Sequence, residues 1–155
     1  MAELDELEKW AGGLLMKLAA PARRKAMLDV ARELRRSQRT RIAAQKNPDN
    51  SAYKARKARS GSAAPQRDKK GRIKRTAMFM KLRTARYILT EATSQDAAIG
   101  FAGRVARVAR VHQFGETDRV APRGASYRYP ARVLLGFTDA DREMVRDILL
   151  RHITQ

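Results

Sequence analysis

The chain has 155 residues, and its 34 Lys and Arg against 16 Asp and Glu give a formal net charge of +18 at neutral pH. That length accommodates one small domain with a single core, and the absence of cysteine excludes disulfide frameworks, zinc ribbons and thiol nucleophiles. The acidic opening lacks the basic and apolar regions of a secretory signal, and no stretch approaches the roughly 18 apolar residues of a membrane span, so a soluble protein of the cytoplasm with no membrane partner is expected.

Leu4, Leu7, Trp10, Ala11, Leu14, Leu15 and Leu18 recur at spacings of three and four, which predicts an amphipathic helix over residues 3–18. Glu3, Asp5 and Glu6 suit its positive N-terminal end, whereas Gly12 and Gly13 weaken its middle. Pro21 fits the first turn of a second helix carrying Met27, Leu28, Ala31, Leu34 and Ile42 on one face and seven arginines between Arg23 and Arg41 on the others. From Lys46 to Arg75 the pattern gives way to Asn-Pro-Asp-Asn and then to Ala, Lys, Arg, Ser and Gly. Such a stretch buries too little apolar surface to fold alone, so an extended basic arm is expected, with a neighbouring subunit as the simplest element to order it.

Met78, Phe79 and Leu82 predict a short turn back onto the core. Tyr87 to Ala92 and Ala98 to Ala102, separated by a polar turn, predict a β-hairpin with Tyr87, Leu89, Ile99 and Phe101 among its apolar residues. The Arg-Val-Ala repeat from Arg104 to Arg110 has a period of three. This puts Arg104, Arg107 and Arg110 on one flank of a helix, with Val105, Val108 and Ala109 opposite and Gly115 as the stop. Residues 116–130, rich in Gly, Pro and charge, read as a loop, and Val133 to Leu135 as a short strand. Thr138 followed by Asp141 resembles a capping box opening a last helix on Met144, Val145, Ile148, Leu149 and Ile153. The sum is an α+β single domain with N-terminal helices over 1–45, the arm over 46–75, and a core of small antiparallel sheet and packed helices over 76–155.

Between Ala19 and Arg86 there are 22 basic residues and 4 acidic ones, so this one segment holds the entire excess of +18. Arginine outnumbers lysine, 24 to 10, a bias that suits bidentate contacts with carboxylate or phosphate in tight interfaces. Catalysis has little to stand on. His112 and His152 lack neighbours at metal-ligand spacing, His112 being expected to cap its helix or pack beside Phe114. The carboxylates of Glu3 to Glu8 and Asp139 to Asp147 sit at helix starts, where the dipole explains them, and neither a Walker loop nor a Gly-x-Ser-x-Gly elbow is present. No catalytic, metal or cofactor site is expected. Sequence-nonspecific DNA binding is the serious alternative, since a basic segment of this size attracts a phosphate backbone. Tyr53 is the only aromatic residue between positions 19 and 78, which is too few for a stacking platform on single strands.

Five short motifs occur in one order: Ile42-Ala-Ala-Gln-Lys-Asn-Pro-Asp, Met78-Phe-Met-Lys-Leu-Arg, Ile99-Gly-Phe, His112-Gln-Phe-Gly, and Pro130-Ala-Arg-Val-Leu-Leu-Gly-Phe with Asp141. From about residue 25 onward the chain resembles the phage virion morphogenesis family, the tail completion proteins of temperate contractile-tailed phages. It departs from that family at Ser51-Ala-Tyr53, where a Trp-containing motif is usual. The resemblance implies a non-enzymatic virion protein, assembled in the host cytoplasm, that completes the tail at the head-tail junction as a homo-oligomeric ring, usually hexameric. Its implied partners are the tail tube, the sheath, a second tail completion protein and the connector, with DNA in the lumen. On this reading Leu14, Leu34, Val105, Val108, Leu134 and Leu149 build the core. Contacts to partners or DNA fall to Lys54, Arg56, Lys57, Arg59, Arg67, Lys69, Lys70, Arg72, Lys74 and Arg75 in the arm, and to Arg104, Arg107 and Arg110.

Overall fold

A computed structural model describes residues 2–16, 18–56 and 77–154, with no side-chain placement for residues 2, 3, 14 and 15. In chain order the elements are α1 (Ala2–Leu15), α2 (Ala20–Ala43), β1 (Ile88–Ala92), β2 (Ala97–Phe101), α3 (Arg104–Phe114), β3 (Thr117–Arg119), β4 (Ser126–Arg128) and α4 (Asp139–Thr154). The fold is α+β, with β1–β2 and β3–β4 as two separate antiparallel pairs.

The organising element is α2. Pro21 occupies its first turn, where the missing N–H has no helical partner to lose, and the helix runs for 24 residues, about 36 Å at 1.5 Å per residue. Its buried side appears every three or four residues as Ala26, Met27, Val30, Ala31, Leu34, Gln38, Arg41 and Ile42. Two apolar clusters lie along it. Toward the N-terminal end, Ala26, Met27, Val30 and Leu34 pack with Ala11 of α1 and with Ile148 and Leu149 of α4. Toward the C-terminal end, Ile42 packs with Tyr53, Met78, Phe79, Ile88, Ala109 and Leu134. Ile99 of β2 touches both clusters and joins them.

In the β1–β2 pair Ile88 faces Phe101, Thr90 faces Ile99 and Ala92 faces Ala97, and this is the side turned to the core. Leu89 belongs to the opposite face and is 45 % exposed, as the period of two along a strand requires. Val108 is likewise exposed instead of buried; Ala109 and Val111 are the residues α3 buries. Leu34, Leu134 and Leu149 are buried as expected, Val105 is partly buried, and Leu14 lies outside the described side chains.

Gly115 ends α3 with φ 67°, and a Cβ there would meet the Ala131 nitrogen at 3.1 Å, so both conformation and space favour glycine. Residues 116–130 are not all loop. Thr117 pairs with Arg128, Asp118 with Tyr127 and Arg119 with Ser126. Val133 to Leu135 form no strand. Their backbone nitrogens are met by side chains instead, Val133 by Asn47 Oδ1 at 2.8 Å, and Leu134 and Leu135 by Gln113 Oε1 at 2.8 and 3.0 Å. The capping box at α4 is formed as expected: Asp141 N–H donates to Thr138 Oγ1, and Thr138 N–H to Asp141 Oδ2, both at 3.0 Å.

Candidate functional site

The first residues of the basic stretch pack onto the globule. After α2, Gln45 takes φ 60°, and Asn47 to Ser51 close a turn in which Asn47 N–H donates to Ser51 O at 2.8 Å and Asn50 N–H to Asn47 O at 3.0 Å. Lys46 and Ala52 then pair as an isolated bridge. Tyr53 is buried against Phe79 with ring centroids 5.8 Å apart, and its hydroxyl donates to the Val133 carbonyl at 3.2 Å. Removal from water raises the Tyr53 phenol to about 12, the nearby Arg41 charge opposing that rise. Residues 46–56 are therefore part of the folded globule, a correction to the expected boundary of the arm.

Both flanks of the basic stretch are fixed by the same residue. Gln45 O accepts from Tyr53 N–H at 2.8 Å, while its side chain donates from Nε2 to Met78 O at 2.8 Å and accepts from Met78 N–H at 2.6 Å. Arg132 holds the backbone at Lys54 and Ala55. Its Nε donates to Lys54 O at 2.7 Å and its Nη2 to Ala55 O at 3.0 Å. Lys54 and Arg56 themselves are exposed. Lys57, Arg59, Arg67, Lys69, Lys70, Arg72, Lys74 and Arg75 lie outside the described residues.

Where the two flanks meet there is a cleft of about 450 Å³, lined by Arg56, Met78, Phe79, His112, Val120, Tyr127, Tyr129, Pro130 and Arg132. Its rings form a chain of edge-on contacts from Phe79 to His112 at 4.8 Å, His112 to Tyr129 at 5.1 Å and Tyr129 to Tyr127 at 5.0 Å. Phe79 takes φ 62°, a left-handed conformation that is costly for a bulky residue and that a well-determined surrounding structure must impose. His112 packs beside Phe79 instead of Phe114, which is 69 % exposed. Burial, reinforced by the charges of Arg132 and Arg56, lowers the His112 imidazole to about 4, so at neutral pH its Nδ1 accepts from Arg132 Nη1 at 3.1 Å. Arg132 is only 3 % exposed, and among the described residues no carboxylate pairs with it. Burial is the main cause that lowers its own affinity for a proton, followed by the like charge of Arg56. The cleft is thus aromatic and cationic.

Because the folded-state value of His112 lies below its unfolded value, its contribution to stability is complete above about pH 6.5 and is lost as the pH falls toward 4, where the unfolded chain takes up the proton first. The span corresponds to about 3 kcal/mol. Denaturant titrations at pH 7 and 4.5 should show a smaller acid-induced loss in His112→Gln, which keeps an acceptor but does not titrate.

Beside the cleft, α3 presents Arg104, Arg107 and Arg110 to solvent together with Val108 and Phe114. Arg107 pairs with Asp118, and Arg110 Nε lies 3.1 Å from Glu116 Oε1, so two of the three tie α3 to the β3 hairpin. Arginine mixed with exposed aromatic and aliphatic side chains is the composition of a protein interface core. Among the described residues no group of three or more His, Asp or Glu is placed to hold a metal ion, and no helix is long and apolar enough to cross a membrane.

Comparison with known proteins bears directly on what these surfaces meet. The model of the phage virion morphogenesis family matches residues 2–154. The chain belongs to that family. A relative, the Tail completion protein S of Escherichia phage P2, is 38 % identical over 154 residues, covering 99 % of each chain. No solved structure matches this member of the family. In this chain the Gln45-Lys-Asn-Pro-Asp segment is the turn that fixes both flanks of the basic stretch, and His112-Gln-Phe-Gly supplies the cleft imidazole, the Gln113 clamp and the helix stop. Sequence reasoning missed Arg132, Tyr127 and Tyr129, whose only signal was an aromatic pair in a stretch that read as loop.

Proposed function

We propose that this chain is a non-enzymatic structural protein of the phage particle that completes the tail at the head-tail junction, acting as a homo-oligomeric ring, hexameric by analogy with the axial symmetry of such tails. The observation that carries this reading is the near full-length relationship to a protein named for tail completion. The structure supports it chemically. The described residues offer an arginine-rich, partly apolar outer face on α3 and an aromatic, cationic cleft, which are surfaces for assembly.

The stretch from residue 57 to residue 76 adds eight basic side chains against Asp68 alone, and its flanks are clamped to the globule by Gln45 and Arg132. In this reading the basic side chains of this stretch contact neighbouring subunits, the tube, sheath, second completion protein or connector, or the DNA they enclose. Lys54 and Arg56 are exposed directly before that stretch, and Arg104 is exposed at the start of α3.

Deleting the gene from its phage should leave heads and tails that fail to join, and supplying the chain from a plasmid should restore joined particles in electron micrographs. Full infectivity without the gene, or tight duplex binding with a steep salt slope and no incorporation into particles, would favour the DNA-binding alternative.

A further inference from the structure

The outer side of α1 is unexplained by the protomer. Glu6, Trp10 and Gly13 follow one another at spacings of four and three, and Met16 continues the row by three more. Trp10 is 40 % exposed and Met16 76 %. A Cβ added at Gly12 or Gly13 would meet nothing within 4 Å, so no neighbour in the protomer requires the two glycines. Glycine within a helix nevertheless weakens it. Asp5, Glu6 and Glu8 are also exposed and enter no ion pair among the described residues. An apolar side chain, a carboxylate and the bare backbone at Gly13 therefore share one side of α1, whereas Gly12 lies off that side, lining a hollow with α2 and α4.

The cleft at the other end of α2 has the complementary character. Its walls are Phe79, Tyr127, Tyr129 and Val120, and its charges are the exposed Arg56 and the buried Arg132, which lacks a carboxylate partner among the described residues. Within one chain the two surfaces do not meet. Ala11 of α1 packs with Ala26 to Leu34 of α2, whereas the Met78 and Phe79 wall packs with Ile42 near its C-terminal end, about 24 Å along the helix from Ala26.

We infer that the outer face of α1 in one copy docks into this cleft in the next, with Trp10 against the rings and Glu6 toward Arg56. This contact rests on the ring reading above and deepens it. Joining opposite ends of identical copies is heterologous, the kind of contact that closes into a ring or continues as a filament. Gly13 then has a use, since it lets a partner approach the helix backbone closely. The occupant is a second copy because its α1 brings an exposed carboxylate and an exposed indole to a cleft of rings and cationic side chains.

Trp10 is the only tryptophan in the chain, so its fluorescence reports the contact directly. Across a concentration series of the full-length protein, sedimentation should show association, and Trp10 emission should move to shorter wavelength in step with it. Arg56→Glu and Glu6→Arg should each weaken association about tenfold or more, and the double exchange should recover much of the loss. Both positions are exposed, and circular dichroism of each variant checks that it is folded. An oligomer whose Trp10 emission does not move, and which both single variants form as the wild type does, overturns the α1-to-cleft contact and leaves the ring reading intact. A chain that remains monomeric at all concentrations, alone and in particle extracts, overturns both. If another virion protein fills the cleft, Arg56→Glu reduces incorporation into particles without changing self-association, and the inference falls.

Discussion

Arg41→Met is expected to lower the unfolding free energy by about 3 to 5 kcal/mol, the usual cost of removing one partner of a buried ion pair. Arg41 is 9 % exposed and Asp141 is 2 % exposed, with Arg41 Nη1 3.7 Å from Asp141 Oδ2. The guanidinium also donates to the carbonyls of Gly136 and Leu134, both at 3.0 Å, and to Gln38 Oε1. Gln38 in turn donates to Gly136 O at 3.0 Å and accepts from Gly136 N–H at 3.1 Å. Asp141 accepts from Ser37 and closes the capping box of α4. One cation therefore fastens α2, the 134–138 segment and the start of α4 together. Burial lowers the guanidinium's proton affinity, and the Asp141 charge opposes that shift. Methionine would fill the volume but leave the Leu134 carbonyl without its donor and the buried Asp141 carboxylate without its cation. With total stability of roughly 5 to 15 kcal/mol for a domain of ordinary size, soluble yield should fall sharply. Urea denaturation followed by circular dichroism measures the loss. In Arg41→Met/Asp141→Asn, where the buried charge is removed as well, part of it should return. Gly136 enforces the same junction sterically, since a Cβ there would lie 2.6 Å from Pro48 Cγ.

The helices were legible in the sequence because their apolar residues recur at three and four over long runs, and because local chemistry marks their ends. Pro21, Gly115 and the Thr138 and Asp141 pair act within one turn of the residues they cap. The alternation in β1–β2 also identified a hairpin, but alternation alone leaves both faces available. Leu89 faces out because the faces are chosen by α2, which packs on Ile88 and Thr90, and not by hydropathy. The β3–β4 pair was hidden because it is three residues long, polar, and fixed by Arg107 and Arg110 reaching from α3, contacts that composition does not record. The 132–136 segment was hidden for the same reason. Its backbone is satisfied by Asn47, Gln113, Gln38 and Arg41, side chains from two helices and a turn. The cleft depended on these non-local contacts, so Arg132 and its ring neighbours could not be assembled from spacing. The one local sign was Tyr53, a lone aromatic in a polar stretch, which packs on Phe79.

That packing determines how the central claim is tested. Removing residues 50–74 would destroy the Tyr53 anchor and the Arg132 clamps on Lys54 and Ala55, so loss of function would report misfolding. Replacing residues 58–75 with a short Gly-Ser linker spares Gln45, Tyr53 and Met78, and the clamped flanks need little chain to connect them. The replacement removes seven basic residues and Asp68, with Lys57 retained. The variant should keep its circular dichroism spectrum and urea midpoint while the phage it supports produces filled heads and unjoined tails, with titre reduced by orders of magnitude. Joined, infectious particles at wild-type titre from that folded variant would contradict the assignment of assembly to the cationic loop.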